Sequence, residues 1–474
     1  MSKTSISQVL REAIVTSLIL EIRAHSMTLD TRSLSILAEA VNHLDRGFDA
    51  MPRFDATPSD ADLARMRAVL LEAAERMRDN FPYPHPLYAG QMLKPPHAMA
   101  RLAYALAQHV NPNNHALDGG RASSAMEKEV VADIARMFGW SAHLGHLTSG
   151  GTVANLEALW IAGRTRPGKA ILASSQAHYT HARISEVLGL KCETVPVDAR
   201  ARMDVHSLET RLERGDVGTV VVTLGTTALG SVDPLPAIVA LQPKYGFRIH
   251  ADAAYGGYFR LADNLGAEAR SAFDVLDRVD SLAIDPHKHG LQPYGCGCIL
   301  FRDTSVGAFY KHDSPYTYFS SAEMHLGEIT LECSRAGASA VALWATQRLF
   351  PLVRGGEFAS GLSAGRRAAL DLHARLARDP RFVTLFEPEL DIVVWAPRRA
   401  SASAMSTASR GTFEAAARHH LHLAVANLPR SLLQAHWPDI EWDREQVSVL
   451  RSCLIKPEHA EWVDAIWRIL DAIA

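Results

Sequence analysis

Short β-rich runs alternate with longer helical stretches through the middle of this 474-residue chain, and this alternation is the feature that most constrains the fold. The runs are Lys169–Ser174, Thr219–Leu224, Phe247–Asp252, Ser281–Asp285 and Cys296–Phe301. Strands separated by helices predict an α/β protein with a mostly parallel sheet that is covered by helices on both faces. Ligands of such sheets bind beyond the carboxyl ends of the strands. We therefore expect the chemically active side chains where these runs end.

The segments on either side of this region have different patterns. From Ser5 to about Arg78 the apolar residues recur every three or four positions, as in amphipathic helices, and Pro and Gly then cluster from Pro82 to Pro96 in a predicted loop. After about Gly355, strand-like runs predict a smaller α+β unit, in which the serine-rich stretch 401–409 is expected to be a solvent-exposed loop. The expected parts are an N-terminal helical segment with its loop (1–95), a large domain (96–354) and a small C-terminal α+β domain (355–474).

Composition excludes several classes of protein. Hydrophobic residues make up 47% and charged residues 21% of the chain, which is typical of a globular protein rather than a disordered one. The net charge of −3 gives no overall field that would attract nucleic acid or an anionic membrane. The apolar run from Ile14 to Ile22 is too short to span a bilayer. We therefore expect small-molecule partners and further copies of the same chain.

The five cysteines indicate a reducing compartment. An odd number in a chain of this length argues against a disulfide scaffold, so we expect a cytoplasmic protein. Cys296 and Cys298 flank a glycine, but no second Cys or His pair stands at a structural zinc spacing, so no metal site is expected. Two small buried residues in a strand explain this pair.

Four features at strand ends carry the chemistry. Leu147–Thr152 (LTSGGT) precedes a helical stretch, where free N–H groups and the helix dipole favour a phosphate, although a plain helix cap has the same pattern. Asp252 ends a strand and could pair with a protonated heteroaromatic nitrogen or simply form a turn. Lys288 follows a strand and could form an imine with an aldehyde. His178 could stack on a planar ring, act as a catalytic residue that transfers protons, or be structural.

Together, these four features supply what pyridoxal 5′-phosphate (PLP) requires. With the stretches LTSGGTVANLEAL, SSQAHYTHAR, TLGTTALGSVDPL, IHADAAYGGYF, DPHKHG and CSRAGASAVALW, the chain resembles the group II PLP-dependent amino acid decarboxylases. The resemblance is close over roughly residues 80 to 350. It implies the aspartate-aminotransferase type of fold (fold type I), PLP as cofactor and a homodimer with the active site at the subunit interface.

The resemblance also implies a role for each matching residue. Lys288 would form the imine with the cofactor, Asp252 would pair with the pyridine nitrogen, and Ala254 and His178 would cover the two faces of the ring. The remaining cofactor contacts would come from Ser149, Gly150, Gly151, Thr152, Thr226 and His287. Relatives carry a loop tyrosine that helps catalysis, and the corresponding loop, about 311 to 328, offers Tyr316 and Tyr318 for catalysis or for packing.

Substrate contacts are expected from His85 and Tyr88 in the Pro-rich loop, from His115 and from Arg335, which matches a position that meets the substrate carboxylate in relatives. Tyr88, Tyr104, His97 and His115 favour an aromatic amino acid, whereas a free basic residue among them would suit aspartate or glutamate. The predicted reaction is decarboxylation of an L-amino acid to its amine and CO2. The alternatives are carbon–carbon cleavage, oxidative decarboxylation to an aldehyde, and a catalytically silent scaffold. All the cofactor-binding elements are present, which argues against the scaffold.

Overall fold

A computed structural model describes residues 31–52, 57–311 and 324–474. The first described elements are two helices, α1 (Thr31–Arg46) and α2 (Asp60–Met77), in line with the amphipathic pattern. The side chain of Ser59 caps α2 by accepting a hydrogen bond from the Asp62 N–H. Neither helix buries a single residue in the isolated chain, and apolar side chains of α2 such as Leu70 are largely exposed. The part of the predicted helical segment before Thr31 lies outside the described residues.

A seven-stranded mixed sheet forms the centre of the molecule, and its strand order is β1-β7-β6-β5-β4-β2-β3. The strands are β1 (Leu144–Thr148), β2 (Ala170–Ser174), β3 (Cys192–Val195), β4 (Val217–Thr223), β5 (Arg248–Asp252), β6 (Ser281–Ile284) and β7 (Gly297–Phe301). Strands β2 to β6 pair in parallel, whereas β7 pairs antiparallel with both β6 and β1. The prediction of a mostly parallel sheet is confirmed, and the five predicted runs are β2, β4, β5, β6 and β7.

Helices surround this sheet in the order that the alternation predicts. They are α3 (Ala98–Val110), α4 (Leu117–Met137), α5 (Gly151–Thr165), α6 (Thr180–Val187), α7 (Val205–Leu212), α8 (Leu235–Tyr245), α9 (Ala267–Asp274) and α10 (Gly337–Leu349). All seven residues of the central strand β4 are buried, as expected for a strand that is covered on both faces. The register pairs Thr223 with Asp252 and Asp252 with Ala283. The carboxyl ends of β4, β5 and β6 therefore lie side by side.

A second sheet, of four antiparallel strands, lies in the C-terminal part with the order β10-β11-β9-β8. Its elements are α11 (Glu357–Arg378), β8 (Phe382–Thr384), β9 (Ile392–Pro397), α12 (Ala402–Arg418), β10 (Ala424–Pro429), α13 (Arg430–Leu433), β11 (Gln446–Cys453) and α14 (His459–Ile473). The two sheets fall within the predicted large and small domains, whose boundaries stay predictions.

The expectation of a loop at 401–409 is wrong, because Ser401 caps α12 and the following residues form its first turns. Ser406 and Ser409 are buried on this helix. The hydroxyl of Ser406 donates to the Ala402 carbonyl (2.9 Å) and accepts from the Ser448 N–H (3.1 Å). These bonds let a polar side chain enter the helix–sheet interface without an unpaired group.

Among the described residues, no helix has both the length and the hydropathy needed to cross a bilayer.

Candidate active site

A cavity of about 300 Å³ opens at the carboxyl ends of the central strands. It gathers side chains that are far apart in the sequence, as the parallel sheet requires. Nine of the predicted cofactor-binding residues line it, namely Ser149, Gly150, Gly151, Thr152, His178, Asp252, Ala254, His287 and Lys288.

Lys288 lies between two carboxylates in this cavity. It follows β6, and its Nζ is 3.0 Å from Oδ2 of Asp285, three residues earlier in the same turn. Burial opposes the ammonium charge, but the charges of Asp285 and Asp252 outweigh this effect and raise the pKa of Lys288. In the free cavity Lys288 is therefore a cation, held where strands β5 and β6 end.

Asp252 ends β5 and is held by a histidine from α6. Nε2 of His181 donates to Oδ2 of Asp252 at 2.8 Å, and the Ala254 N–H donates to Oδ1 at 3.2 Å. Burial alone would raise the pKa of Asp252, but the hydrogen bond from His181 and the charge of Lys288 hold it well below its usual range. The carboxylate stays ionised and its orientation is fixed.

The glycine-rich turn between β1 and α5 forms a concave backbone surface. Gly150 has φ +155°, and α5 begins at Gly151, where a Cβ atom would come within 2.7 Å of Oδ2 of Asp285. A Cβ at Gly297 of β7 would lie 2.5 Å from the carbonyl carbon of Gly150. Side chains at these positions would fill the turn, so glycine leaves the N-terminal N–H groups of α5 open to an anion.

Two histidines stand on either side of the cavity. Nδ1 of His178 is 2.8 Å from the Thr180 hydroxyl oxygen, and burial lowers the pKa of His178. The ring of His287 packs at 4.6 Å on the ring of Tyr294, and its Nε2 is 3.5 Å from Oδ2 of Asp285. Burial also lowers the pKa of His287, so both rings are neutral surfaces rather than cations at neutral pH.

The residues present fit PLP. Three polar atoms of the cavity residues, Oδ1 of Asp285, Nδ1 of His287 and Oγ1 of Thr223, are buried without a hydrogen-bond partner among the described residues. Buried polar atoms are normally paired, so these atoms indicate a polar ligand. The glycine turn offers N–H groups for a phosphate, Asp252 offers a fixed negative charge, and Lys288 offers an amine for an aldehyde.

Thr226 does not line the cavity. It is fully buried in the turn after β4, where its hydroxyl accepts a hydrogen bond from the Ser231 N–H at 3.1 Å. The next residue, Thr227, lines the cavity in its place. The contact of Thr226 with the cofactor stays a prediction.

None of the four residues predicted to bind substrate lines this cavity. Nδ1 of His85 accepts a hydrogen bond from the Leu87 N–H. Tyr88 is buried, and Lys456 donates to its carbonyl oxygen at 2.6 Å. The ring of His115 contacts the segment at Gly327 closely enough that a Cβ there would clash. Their contacts with a substrate stay predictions.

Arg335 forms a buried ion pair with Glu127. Its Nη1 donates to Oε1 of Glu127 (2.7 Å) and to the carbonyl of Leu147 (2.5 Å), just before the glycine turn. Its Nε and Nη2 have no hydrogen-bond partner within the described part of the chain. The structure thus places Arg335 against the end of β1, and its contact with a substrate carboxylate stays a prediction.

Tyr316 and Tyr318, the candidate loop tyrosines, lie outside the described residues.

Sequence reasoning missed two site residues. Asp285 is part of the DPHK sequence and stands three residues before Lys288, a spacing that brings two side chains together in one turn. His181 stands three residues after His178 at the start of α6, but nothing in the sequence connects it with Asp252, 71 positions later. The first contact could have been read from local spacing, whereas the second depends on how α6 packs on the sheet.

Comparison with known proteins agrees with this cavity. A family model described as the pyridoxal-dependent decarboxylase conserved domain matches residues 85–397. The chain belongs to this family. The predicted family and its cofactor are therefore confirmed.

Similar members of the decarboxylase family act on different amino acids. An L-tyrosine decarboxylase of Levilactobacillus brevis is 28% identical over 392 residues, which cover 61% of this chain and 62% of that protein. An L-aspartate decarboxylase of Thermococcus kodakarensis is 32% identical over 282 residues, which cover 58% of this chain and 71% of that protein. The match thus spans less than two thirds of the length of the first of these relatives.

Solved structures confirm the predicted fold. The crystal structure of mouse CSAD has a TM-score of 0.75 at 19% identity and covers 94% of this chain and 99% of its own. That of Oryza sativa TDC, which contains PLP and tryptamine, has a TM-score of 0.72 at 17% identity and covers both chains completely. This chain therefore shares its fold with these proteins.

Proposed function

We propose that this chain removes the carboxylate of an L-amino acid as CO2 and releases the amine. The observation that carries this proposal is the arrangement around Lys288, a buried amine between Asp285 and Asp252 in a cavity with an open helix N-terminus. When bound, PLP supplies an electron sink for the carbanion that loss of CO2 leaves behind. The membership in the decarboxylase family supports this outcome over other uses of the same cofactor.

The residues of the cavity have separate tasks in this proposal. Lys288 would hold the cofactor covalently, and the turn from Ser149 to Thr152 would bind the phosphate. Asp252 would offer its fixed negative charge to the pyridine nitrogen and keep it protonated. His178 and Ala254 would contact the ring. Because each group is fixed by a strand end or a helix start, little reorganisation is needed during the reaction.

An aromatic amino acid is the proposed substrate. Support comes from the aromatic residues of the Pro-rich loop, where the rings of Tyr83 and Tyr88 meet edge to face at 4.9 Å. Burial and the neighbouring Tyr83 raise the pKa of Tyr88 to about 12, so its hydroxyl stays neutral. An aromatic cluster of this kind suits the ring of an aromatic amino acid better than a charged side chain.

A panel of the twenty amino acids, with CO2 and amine both measured on the PLP-loaded protein, tests the reaction and the substrate together. We expect equal amounts of CO2 and amine, with an aromatic amino acid preferred. Formation of an aldehyde would favour oxidative decarboxylation, and cleavage of the substrate without release of CO2 would favour a carbon–carbon lyase. A preference for aspartate or glutamate would overturn the proposal of an aromatic substrate.

Borohydride reduction followed by peptide mapping tests the role of Lys288 independently of the substrate. We expect the reduced cofactor on Lys288, and no labelling in the Lys288→Ala variant. Lys244→Ala, which removes an exposed lysine of α8, is the matched control and should label normally. Label on another lysine, or on none, would remove the basis for the proposed reaction.

Tyr316 and Tyr318 remain proposed catalytic residues, and their separate Phe variants test this role. A catalytic tyrosine should lower the turnover number when its hydroxyl is removed while the loaded protein keeps its melting temperature. If both variants turn over the substrate as fast as the wild type does, neither hydroxyl is catalytic and only a packing role is left for the two tyrosines.

We also propose a cytoplasmic homodimer in which α1 and α2 pack on the partner subunit. The support is the exposure of apolar side chains on α2, which an amphipathic helix would normally bury, and the five unpaired cysteines. Deleting residues 1–50 should give a monomeric or insoluble, inactive protein. A truncated chain that stays dimeric in sedimentation and active in the CO2 assay would contradict this proposal.

A further inference from the structure

A second cavity, of about 660 Å³, lies on the other side of the Lys288 turn and shares no lining residue with the cofactor cavity. It is formed by the Pro-rich loop before α3, by His289, and by the starts of α11 and α14 in the small domain. Its volume lies within the range of small-molecule binding sites.

Three helices begin at this cavity. Helices α3, α11 and α14 have 13, 22 and 15 residues, and the first turn of each contributes to the wall with Ala98, Glu357 and Ala460. The first N–H groups of a helix have no partner within the helix, and its N-terminus carries a partial positive charge. The first N–H groups of α14 already donate to the carbonyls of the preceding turn, so this helix contributes only its dipole. Together the three ends favour a negatively charged ligand.

A buried lysine lines the same cavity. Only 7% of Lys94 is exposed, and within the described part of the chain its Nζ has neither a hydrogen bond nor an ion pair. Burial lowers the pKa of Lys94 to about 8, against the attraction of the more distant Asp391 and Glu458. A buried ammonium without a close counter-charge is costly, so a bound anion would supply the missing partner.

A second lysine and an apolar wall complete the site. Lys456 is 1% exposed, its Nζ donates to a backbone carbonyl, and among the described residues no carboxylate lies within ion-pair distance of it. Leu291, Phe350 and Phe358 provide an apolar surface on the wall. Three carboxylates (Glu357, Glu458 and Glu461) and two guanidinium groups (Arg101 and Arg367) also line the cavity. This mixed lining favours a ligand of low negative charge over a highly charged one.

We propose that this second cavity binds a small organic carboxylic acid, with its carboxylate beside Lys94 and its apolar body against Phe350 and Phe358. The site shares no residue with the cofactor cavity, so this proposal and the proposed decarboxylation can fail independently.

Isothermal titration calorimetry of the PLP-loaded protein tests the proposal, because PLP fills the phosphate-binding turn in advance. The probes are benzoate and hexanoate, with benzyl alcohol as the uncharged comparison and phenyl phosphate as the more highly charged one. We expect one of the two carboxylates to bind with a single site per chain, and both comparison compounds to bind more weakly. Tighter binding of phenyl phosphate, or equal binding of benzyl alcohol, would overturn the proposed ligand class.

Variants locate the binding site. Lys94→Met keeps the length of the side chain but removes the charge-assisted contact, and should weaken carboxylate binding roughly tenfold or more. Ala364→Trp should abolish binding by filling the cavity from α11, without removing a charge. Lys244→Met, on the exposed face of α8, is the matched control and should bind as the wild type does.

Melting temperatures of all three variants identify any that fail to fold, and the conclusion then rests on the variant that does fold. Unchanged binding in a folded Lys94→Met or Ala364→Trp variant would place the carboxylate elsewhere, including in the active site, and overturn the proposal. The absence of saturable heat with both carboxylates in the wild type would do the same.

Discussion

Replacing Asp285 by Asn tests how the cavity sets the charge of Lys288. The carboxylate of Asp285 lies 3.0 Å from Nζ of Lys288, and at an effective dielectric constant of about 20 two charges at this distance attract by roughly 5 kcal/mol. Asparagine has nearly the same shape and keeps one oxygen acceptor, so the charge is the main change. Even if rehydration leaves only a quarter of this attraction, the deprotonated fraction of Lys288 changes roughly tenfold.

The rate of PLP attachment to the apoprotein measures this fraction, because only the neutral amine attacks an aldehyde. Asp285 raises the pKa of Lys288, so its removal lowers that pKa and increases the neutral fraction at any pH below it. In stopped-flow absorbance at a pH of about 7.5, the Asp285→Asn variant should therefore react roughly tenfold faster. The inflection of its pH–rate profile should lie at lower pH than that of the wild type.

The control is Asp439→Asn, which removes an exposed carboxylate from the small domain and should leave the profile unchanged. An inflection that stays in place in Asp285→Asn, or moves to higher pH, would refute the role assigned to this carboxylate. Borohydride mapping of both variants ensures that the same lysine is being measured.

Three further changes test other parts of the structure. His181→Leu removes the donor to Oδ2 of the buried Asp252 carboxylate and should destabilise the apoprotein by about 1–3 kcal/mol. His181→Gln keeps a donor, and equal melting temperatures of the two variants would contradict this reasoning. Gly151→Ala places a Cβ 2.7 Å from Oδ2 of Asp285 and should weaken PLP binding at least about tenfold in a fluorescence titration. Gly266→Ala adds a Cβ in open space and should leave PLP binding unchanged. Burial raises the pKa of Asp233 to about 7, so its contribution to stability is present below a pH of about 4 and is lost as the pH rises through about 7. The melting temperature of Asp233→Asn should therefore depend less on pH over this window than that of the wild type. An unchanged pH dependence would contradict the role assigned to Asp233.

The strands and the main site residues could be predicted because they depend on local patterns. β-rich runs such as 219–224 are buried on both faces and read as continuous apolar stretches, and polar residues such as Asp252 and Lys288 stand directly at strand ends. β1 and β3 were missed because Leu144–Thr148 contains a glycine and a histidine, and because Cys192–Val195 is a short, half-buried edge strand. Neither has the apolar pattern of a central strand.

Contacts between distant segments could not be read from the sequence. The hydrogen bond between His181 and Asp252 depends on where α6 packs, and the pairing of Arg335 with Glu127 joins positions 208 residues apart. Ser406 was misjudged for a related reason, since serine has a modest helix propensity and its burial depends on a partner in another strand. Secondary-structure propensity and hydrophobic periodicity describe one segment of the chain at a time, whereas each of these contacts depends on how two segments pack together.

The cofactor cavity is assembled from the ends of β1, β2, β4, β5 and β6, so a bound cofactor bridges chain segments that separate when the protein unfolds. A ligand that binds only the folded state shifts the folding equilibrium toward it, by about 2.7 kcal/mol at a free concentration one hundred times its dissociation constant. Vitamin B6 supply should therefore set the cellular lifetime of this protein as well as its turnover. Substitutions in the glycine turn would then lower its abundance in starved cells more than in replete ones.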